Sequence, residues 1–253
     1  MNLVQIIFSP TGGTQKAADI FTAEWNGPAK TIDLTSPQED FSQIVLSPND
    51  LALIALPCYE GRVPALAAGR LAQIKGAGAR CALLCVFGNR AFDDALAEMQ
   101  DLAQKAGFQP IAAAAAVAEH SIFRQYGAGR PDDQDAEQLR SFSKKIMEKF
   151  QSAQSPAPLS LPGNRPYRQA NGMPIAPKTA AGCSRCGLCA QQCPAQAIDK
   201  TTLKTDKDHC ILCMRCIDHC PSQARKVNGL LYAAANAAMK SRLSGRKENR
   251  LFL

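Results

Sequence analysis

Cys183-Ser184-Arg185-Cys186-Gly187-Leu188-Cys189-Ala190-Gln191-Gln192-Cys193-Pro194 and Cys210-Ile211-Leu212-Cys213-Met214-Arg215-Cys216-Ile217-Asp218-His219-Cys220-Pro221 decide how the second half of this chain folds. Both runs read C-x2-C-x2-C-x3-C-P, and they repeat at an interval of 27 residues. Beyond the cysteines, Pro194, Gln196 and Ala197 align with Pro221, Gln223 and Ala224, so the repeat defines two equivalent half-sites. Four thiolates saturate the iron corners of one cubane, and soft sulfur suits iron–sulfur chemistry. Three cysteines spaced by three residues can curl around one such cube, while the fourth must arrive from elsewhere. The reading is two [4Fe-4S] clusters. Structural zinc is the bland alternative, but a mononuclear tetrahedral site favours two separated pairs, and here the third thiol of each run is surplus. A disulfide scaffold suits a small secreted chain better than one of 253 residues with an odd total of 11 cysteines.

Upstream of the runs, residues 151–181 form a Pro-rich linker, with Pro156, Pro158, Pro162, Pro166, Pro174 and Pro177 recurring among Ser and Gly. Ahead of it, residues 1–150 alternate apolar runs with helical patterns. The apolar runs Leu3–Phe8, Leu51–Leu56, Arg80–Phe87 and Ile111–Val117 are predicted strands, with Thr31–Leu34 a weaker one. Thr14–Trp25, Pro64–Ile74, Asp93–Lys105 and Asp133–Phe150 are predicted helices. Strands that lack polar alternation and are separated by helices imply a parallel sheet covered on both faces. The expected fold class is α/β, a doubly wound five-stranded parallel sheet, followed by a small α+β domain over residues 182–229. Downstream, Leu230–Met239 is a predicted helix and residues 240–253 a basic tail ending in Leu251-Phe252-Leu253.

Between the first strand and helix lies Ser9-Pro10-Thr11-Gly12-Gly13-Thr14. Hydroxyls at Ser9, Thr11 and Thr14, with the backbone N–H groups that Gly12 and Gly13 leave open, suit a phosphate at a helix N-terminus. A Walker loop and a G-x-G-x-x-G turn are both absent, and a Ser/Thr-rich capping turn is the plain alternative. Two further loops follow carboxyl ends of strands, where open α/β sheets bind ligands. They hold Pro57, Cys58, Tyr59 and Gly61 in one and Gly88, Asn89 and Phe92 in the other.

These motifs carry resemblances. Cys183–Pro194 and Cys210–Pro221 resemble the halves of a bacterial 2[4Fe-4S] ferredoxin, a family that transfers single electrons at low potential. That likeness implies ligands exchanged between halves: Cys183, Cys186, Cys189 and Cys220 on one cluster, and Cys210, Cys213, Cys216 and Cys193 on the other. The Ser9–Thr14 turn resembles the flavodoxin phosphate loop, [ST]-x-T-G-x-T. It implies FMN, with Tyr59 or Phe92 stacking on the isoalloxazine and Gly61, Gly88 and Asn89 hydrogen-bonding to it. The order of the two parts resembles that of flavodoxin–ferredoxin fusion proteins. Glu119, His120 and Ser121 fall at the same sheet edge, where a satisfied loop histidine is the plain reading. Cys81 and Cys85 lie in a buried strand and read as small core residues.

The formal charge of +7 divides into 14 Lys/Arg against 17 Asp/Glu before residue 151 and 15 against 5 after it. A basic half invites a nucleic-acid reading. Two thiolate-bound clusters, at about −2 each when oxidised, would lower that half to roughly +6. Aromatic interleaving is also missing, so nucleic acid is not an expected partner. With no basic leader and no membrane-length apolar run, the expectation is a cytoplasmic protein without a membrane partner. The expected function is electron transfer as an oxidoreductase of unidentified acceptor, with an external redox donor or acceptor protein, a small-molecule acceptor at FMN, or a homodimer as partners. The alternative is a non-catalytic carrier docking to a larger redox enzyme.

Overall fold

Apolar β-branched and leucine-rich runs, too short for helices and without a polar face, can hide both surfaces only inside a sheet that is covered twice. A computed structural model describes residues 2–25, 27–151 and 158–253 and has this architecture. In chain order the first part contains β1 (Leu3–Ile7), α1 (Gly13–Thr22), β2 (Ala29–Asp33), β3 (Leu51–Cys58), α2 (Ala65–Leu71), β4 (Arg80–Phe87), α3 (Ala95–Lys105), β5 (Gln109–Val117) and α4 (Asp133–Gln151). The second contains β6 (Lys178–Thr179), the single-turn helices α5 (Leu188–Gln191) and α6 (Arg215–Asp218), β7 (Arg225–Lys226), α7 (Gly229–Leu243) and β8 (Arg250–Phe252).

The main sheet runs β2-β1-β3-β4-β5-β8. Its first five strands are parallel and follow the flavodoxin-like order 2-1-3-4-5. One apolar cluster lies under α2 and α3, built around Phe8, Phe41, Leu56, Phe87 and Phe108. The other lies under α1 and α4, around Phe21, Trp25, Leu139 and Phe150. Trp25 is pinned there by its indole N–H, which donates to Ser143 at 3.1 Å.

The sixth strand departs from the five-stranded expectation. Residues 250–252 of the basic tail pair antiparallel with β5, Ala114 opposite Leu251. Sequence periodicity cannot reveal a three-residue strand whose partner lies 135 to 139 residues away. Asn249 anchors the arrival: its Oδ1 accepts from Val117 N at 2.8 Å, and its amide donates to Asp135 and Gln138. The tail's charge is partly spent inward, since Arg246 pairs with Asp132 at 2.6 Å.

Pro156 and the rest of residues 152–157 fall outside the described residues. From Leu159 onward the linker lies along α3. Asp94 accepts from Asn164 N at 2.8 Å and Arg168 N at 2.7 Å, Asp101 pairs with Arg165, and the Arg62 guanidinium stacks 4.7 Å over the Tyr167 ring.

Within the cysteine-rich part, β6 and β7 form a two-stranded antiparallel ribbon. The repeat also governs the backbone. Arg185 and Leu212, Gly187 and Met214, and Gln196 and Gln223 are pairs one repeat apart, and all six have positive φ. Non-glycine residues enter that region only at a local cost, so its recurrence at matched positions marks one cage geometry built twice.

Candidate functional site

At the carboxyl ends of the parallel strands, three loops and the linker surround a cavity of about 840 Å³. Gly12, at φ 82°, turns the chain into α1. Ser9 Oγ accepts from Gln15 N at 2.9 Å, and Ser9 N donates to Thr35 Oγ1 at 2.7 Å, which fixes the loop from both sides. Among the described residues, the backbone N–H groups of Thr11, Gly12, Gly13 and Thr14 have no protein acceptor. Unpaired donors converging at a helix start fit a phosphate. Ser9, Thr11, Gly13 and Thr14 line the cavity, whereas Gly12 contributes the turn and stands back from the wall.

The second loop is a tight turn in which Tyr59 and Arg62 exchange backbone hydrogen bonds of 2.9 and 3.0 Å. Gly61, at φ 84°, accepts from Asp94 N at 3.0 Å through its carbonyl, and any Cβ there would run into the Asp93 side chain. Only glycine lets the second and third loops meet. Pro57, Cys58, Tyr59 and Gly61 all line the cavity. The Cys58 thiol is directed at the carbonyls of Ala91 and Phe92. Glu98 Oε2 accepts from Val63 N at 2.8 Å and pairs with Arg62, so a carboxylate under the loop holds its exit.

On the third loop only Gly88 of the three singled-out residues faces the cavity. Asn89 is turned away: its amide donates to the carbonyls of Leu243 at 2.6 Å and Gly245 at 2.8 Å, tying the loop to the end of α7. Phe92 is turned inward as well, edge-on to Phe87 with centroids 5.4 Å apart and to Phe252 at 6.4 Å. Burying a phenyl ring in the sheet core and satisfying an amide on α7 outcompete display toward a ligand. Tyr59 is therefore the aromatic of this pair that borders the cavity, and Arg90 and Ala91 take the wall positions on the third loop.

His120 lines the remaining side, with Glu119 and Ser121. Its Nδ1 accepts from Ile122 N at 3.1 Å and Phe123 N at 3.2 Å, which places the proton on Nε2. Burial lowers its pKa to about 4, with the Arg90 charge adding to the effect. Cys81 and Cys85 are fully buried in β4. Their thiols are pushed up, by burial at Cys81 and by Cys58 and burial at Cys85, and they serve as core filling.

Sequence reasoning did not foresee that the cysteine-rich part closes this cavity. Cys210, Ile211 and Leu212 of the second run line it, together with Met239 and Arg242 of α7 and Arg168–Ala170 of the linker. The two parts are held together by Arg215 donating to Pro10 O at 2.9 Å, Arg70 to Pro194 O at 2.8 Å and an Arg124–Asp218 ion pair. Phe123 and Tyr232 pack with centroids 5.2 Å apart.

The eight cysteines of the runs are all free thiols. Cys193, from the first run, stands close enough to Cys210, Cys213 and Cys216 to raise the pKa of each. Burial is the larger cause, and pushes Cys213 to about 12 and Cys216 to about 11. Cys183 neighbours Cys189 in the same way. The fourth cysteine of each run accepts a matched backbone hydrogen bond, Ala197 N to Cys193 Sγ at 3.3 Å and Ala224 N to Cys220 Sγ at 3.2 Å. Buried thiols this close resist losing their protons unless a cation takes up the charge, so the donor set fits iron. Among the described residues, no three Cys, His, Asp or Glu side chains converge tightly enough for a single metal ion. His209 and His219 are engaged by Asp206 and Gln192, outside the thiol sets.

Residues 203–226 match the family model of a 4Fe-4S binding domain. The match spans the second cysteine run and its flanks, including the β7 strand. No curated protein sequence matches the chain. Among solved structures, it is similar to a flavodoxin from Streptococcus pneumoniae TIGR4, at 19% identity over 58% of this chain and 99% of that one, with a TM-score of 0.41. Flavodoxin 1 from Bacillus cereus aligns at 16% identity over 58% and 98%, with a TM-score of 0.42. A Fusobacterium nucleatum flavodoxin, solved bound to flavin mononucleotide, aligns at 15% over 59% and 99%, with a TM-score of 0.40. The observed strand order, rather than these distant likenesses, carries the fold assignment. No helix among the described residues is long and apolar enough to cross a membrane.

Proposed function

We propose that the chain is an iron–sulfur flavoprotein of the flavodoxin–ferredoxin fusion type, an oxidoreductase that passes electrons between two [4Fe-4S] clusters and FMN. One observation carries the reading: Cys210, Ile211 and Leu212 line the same cavity as Ser9, Thr11, Gly13 and Thr14. A ligand cysteine and a phosphate-type loop open on one space, as a cluster delivering electrons to a flavin requires. Bound FMN supplies exchange of one or two electrons, and each cluster exchanges one.

Within that reading, the Thr11–Thr14 backbone holds the phosphate, Tyr59 borders the ring, and neutral His120 offers an Nε2–H at the cavity wall. Cys210, Cys213, Cys216 and Cys193 hold the cluster nearer the cavity, and Cys183, Cys186, Cys189 and Cys220 the farther one. Cys186 is exposed, so the farther cage is where an external redox protein exchanges electrons. A half-open cavity of about 840 Å³, rather than a flat edge, favours a small-molecule acceptor over a purely carrier role.

The test is anaerobic isolation with iron, sulfide and flavin measurement. About eight irons and one FMN per chain are expected. Zinc alone at the thiols, or no released FMN, would end the proposal. Reoxidation of the reduced protein by small organic acceptors separates the oxidoreductase from a carrier, which would react only with a redox protein.

A further inference from the structure

Arg225 is 2% exposed, in the interior of the small cysteine-rich part. Its Nη1 donates to Thr179 Oγ1 at 2.8 Å and Leu203 O at 2.9 Å, and its Nη2 to Pro177 O at 2.9 Å and Thr205 Oγ1 at 2.5 Å. These acceptors are all neutral, and among the described residues no carboxylate pairs with the guanidinium. Its Nε is buried with no hydrogen-bond partner at all. A guanidinium cannot escape the penalty of burial by deprotonating, so a buried one needs an anion.

The repeat sharpens the anomaly. One repeat interval before Arg225 stands Ile198, itself 5% exposed. Two halves with the same backbone turns thus place an aliphatic side chain at one position and a cation at the other, so packing alone does not call for arginine. Around the guanidinium stand thiols of both runs. The turn α6, which carries Cys216, packs on β7, which carries Arg225, and Leu203, whose carbonyl the guanidinium holds, packs in one cluster with Cys183, Cys189, Cys193 and Cys216. Thiolate-ligated [4Fe-4S] cages are net anions, and their potentials follow local charge and hydrogen bonds to sulfur.

We propose that Arg225 is a potential-tuning residue whose fixed charge, with an Nε–H that no protein acceptor takes up, stands beside the sulfur cages to which Cys189 and Cys216 belong. This rests on the two-cluster reading above. One-electron reduction by an external reductant adds one negative charge to a cage, while Arg225 stays protonated and neither gains nor loses a proton. A fixed cation stabilises the more negative state, so the clusters beside Arg225 accept electrons at a higher potential than they would with an aliphatic side chain in its place, as Ile198 is in the other half.

The experiment is a dithionite titration of the anaerobically isolated holoprotein monitored by electron paramagnetic resonance, with Arg225→Ile and Arg225→Lys beside the wild type. Arg225→Ile, the repeat's own solution, is expected to keep the wild-type iron content and to shift the cluster midpoints to lower potential. Arg225→Lys, which keeps the charge, is expected to stay nearer the wild type. In reduced wild-type protein labelled with 15N-arginine, pulsed resonance is expected to find a nitrogen coupled to the cluster that Arg225→Lys lacks. Unmoved potentials in an iron-replete Arg225→Ile protein would overturn the proposal. Should that variant lose iron, the labelled wild type decides, and absence of the coupling would overturn it. Wild-type protein without cubane clusters would defeat the two-cluster reading itself, a distinct result.

Discussion

His120 accepts two backbone hydrogen bonds through Nδ1 and is held neutral, its pKa lowered to about 4. The unfolded chain, with an ordinary histidine pKa near 6.5, binds the proton first as pH falls. The folded state therefore keeps the full benefit above about pH 6.5 and loses it progressively toward pH 4. Thermal unfolding followed across that window should show Tm falling with pH, and His120→Gln should flatten the slope. Gly61 is as tightly specified for a steric reason. Gly61→Ala would push a methyl group into Asp93 and Arg168 at a left-handed backbone position, costing about 2 kcal/mol. Calorimetry should show the lowered Tm, and equilibrium dialysis the weakened flavin binding. At the cages, Cys193→Ser should remove the ligand that stands with Cys210, Cys213 and Cys216, leaving about four irons of eight per chain. Iron analysis with resonance spectra of the surviving cluster checks this, and unchanged iron would refute the exchange of ligands between halves.

Among the elements, β8 is the one whose removal is most informative. Deleting residues 250–253 strips the antiparallel partner from β5 and the Phe252 ring from Phe92. An unpaired, alanine-rich edge results, and exposed edges recruit other chains. The truncated protein should unfold at lower temperature and show concentration-dependent association by light scattering, and a monomer of wild-type Tm would refute the assigned role. Legibility also divides by element. Leu3–Ile7, Leu51–Cys58 and Arg80–Phe87 were readable because each is an uninterrupted apolar run of strand length. The second cysteine run was readable as a 4Fe-4S motif because its spacing is local along the chain. Asn89 and Phe92 were misread because their partners, Leu243, Gly245 and Phe252, come about 150 residues later and belong to no pattern the loop itself carries. Arg225 was within reach: extending the repeat one residue past Ala197 and Ala224 sets a cation against Ile198 in the sequence alone.

In the whole molecule, the two cofactor-type sites are joined by contacts that ordinary linker reasoning does not supply. A tether alone raises local concentration, but Arg215 on Pro10, Arg70 on Pro194 and the Asn89 amide on the end of α7 fix one orientation. Arg215→Ala should leave iron and flavin content intact and slow electron exchange between them, as read by stopped-flow absorbance. An unaltered rate would assign the orientation to the other contacts.

The sheet's sixth strand also sets an order of events during synthesis. The outer side of β5 remains bare until residues 250–252 have left the ribosome, by which time every cysteine ligand has already been made. A nascent chain can therefore seal its sheet only after the thiol-bearing segment has emerged to be loaded.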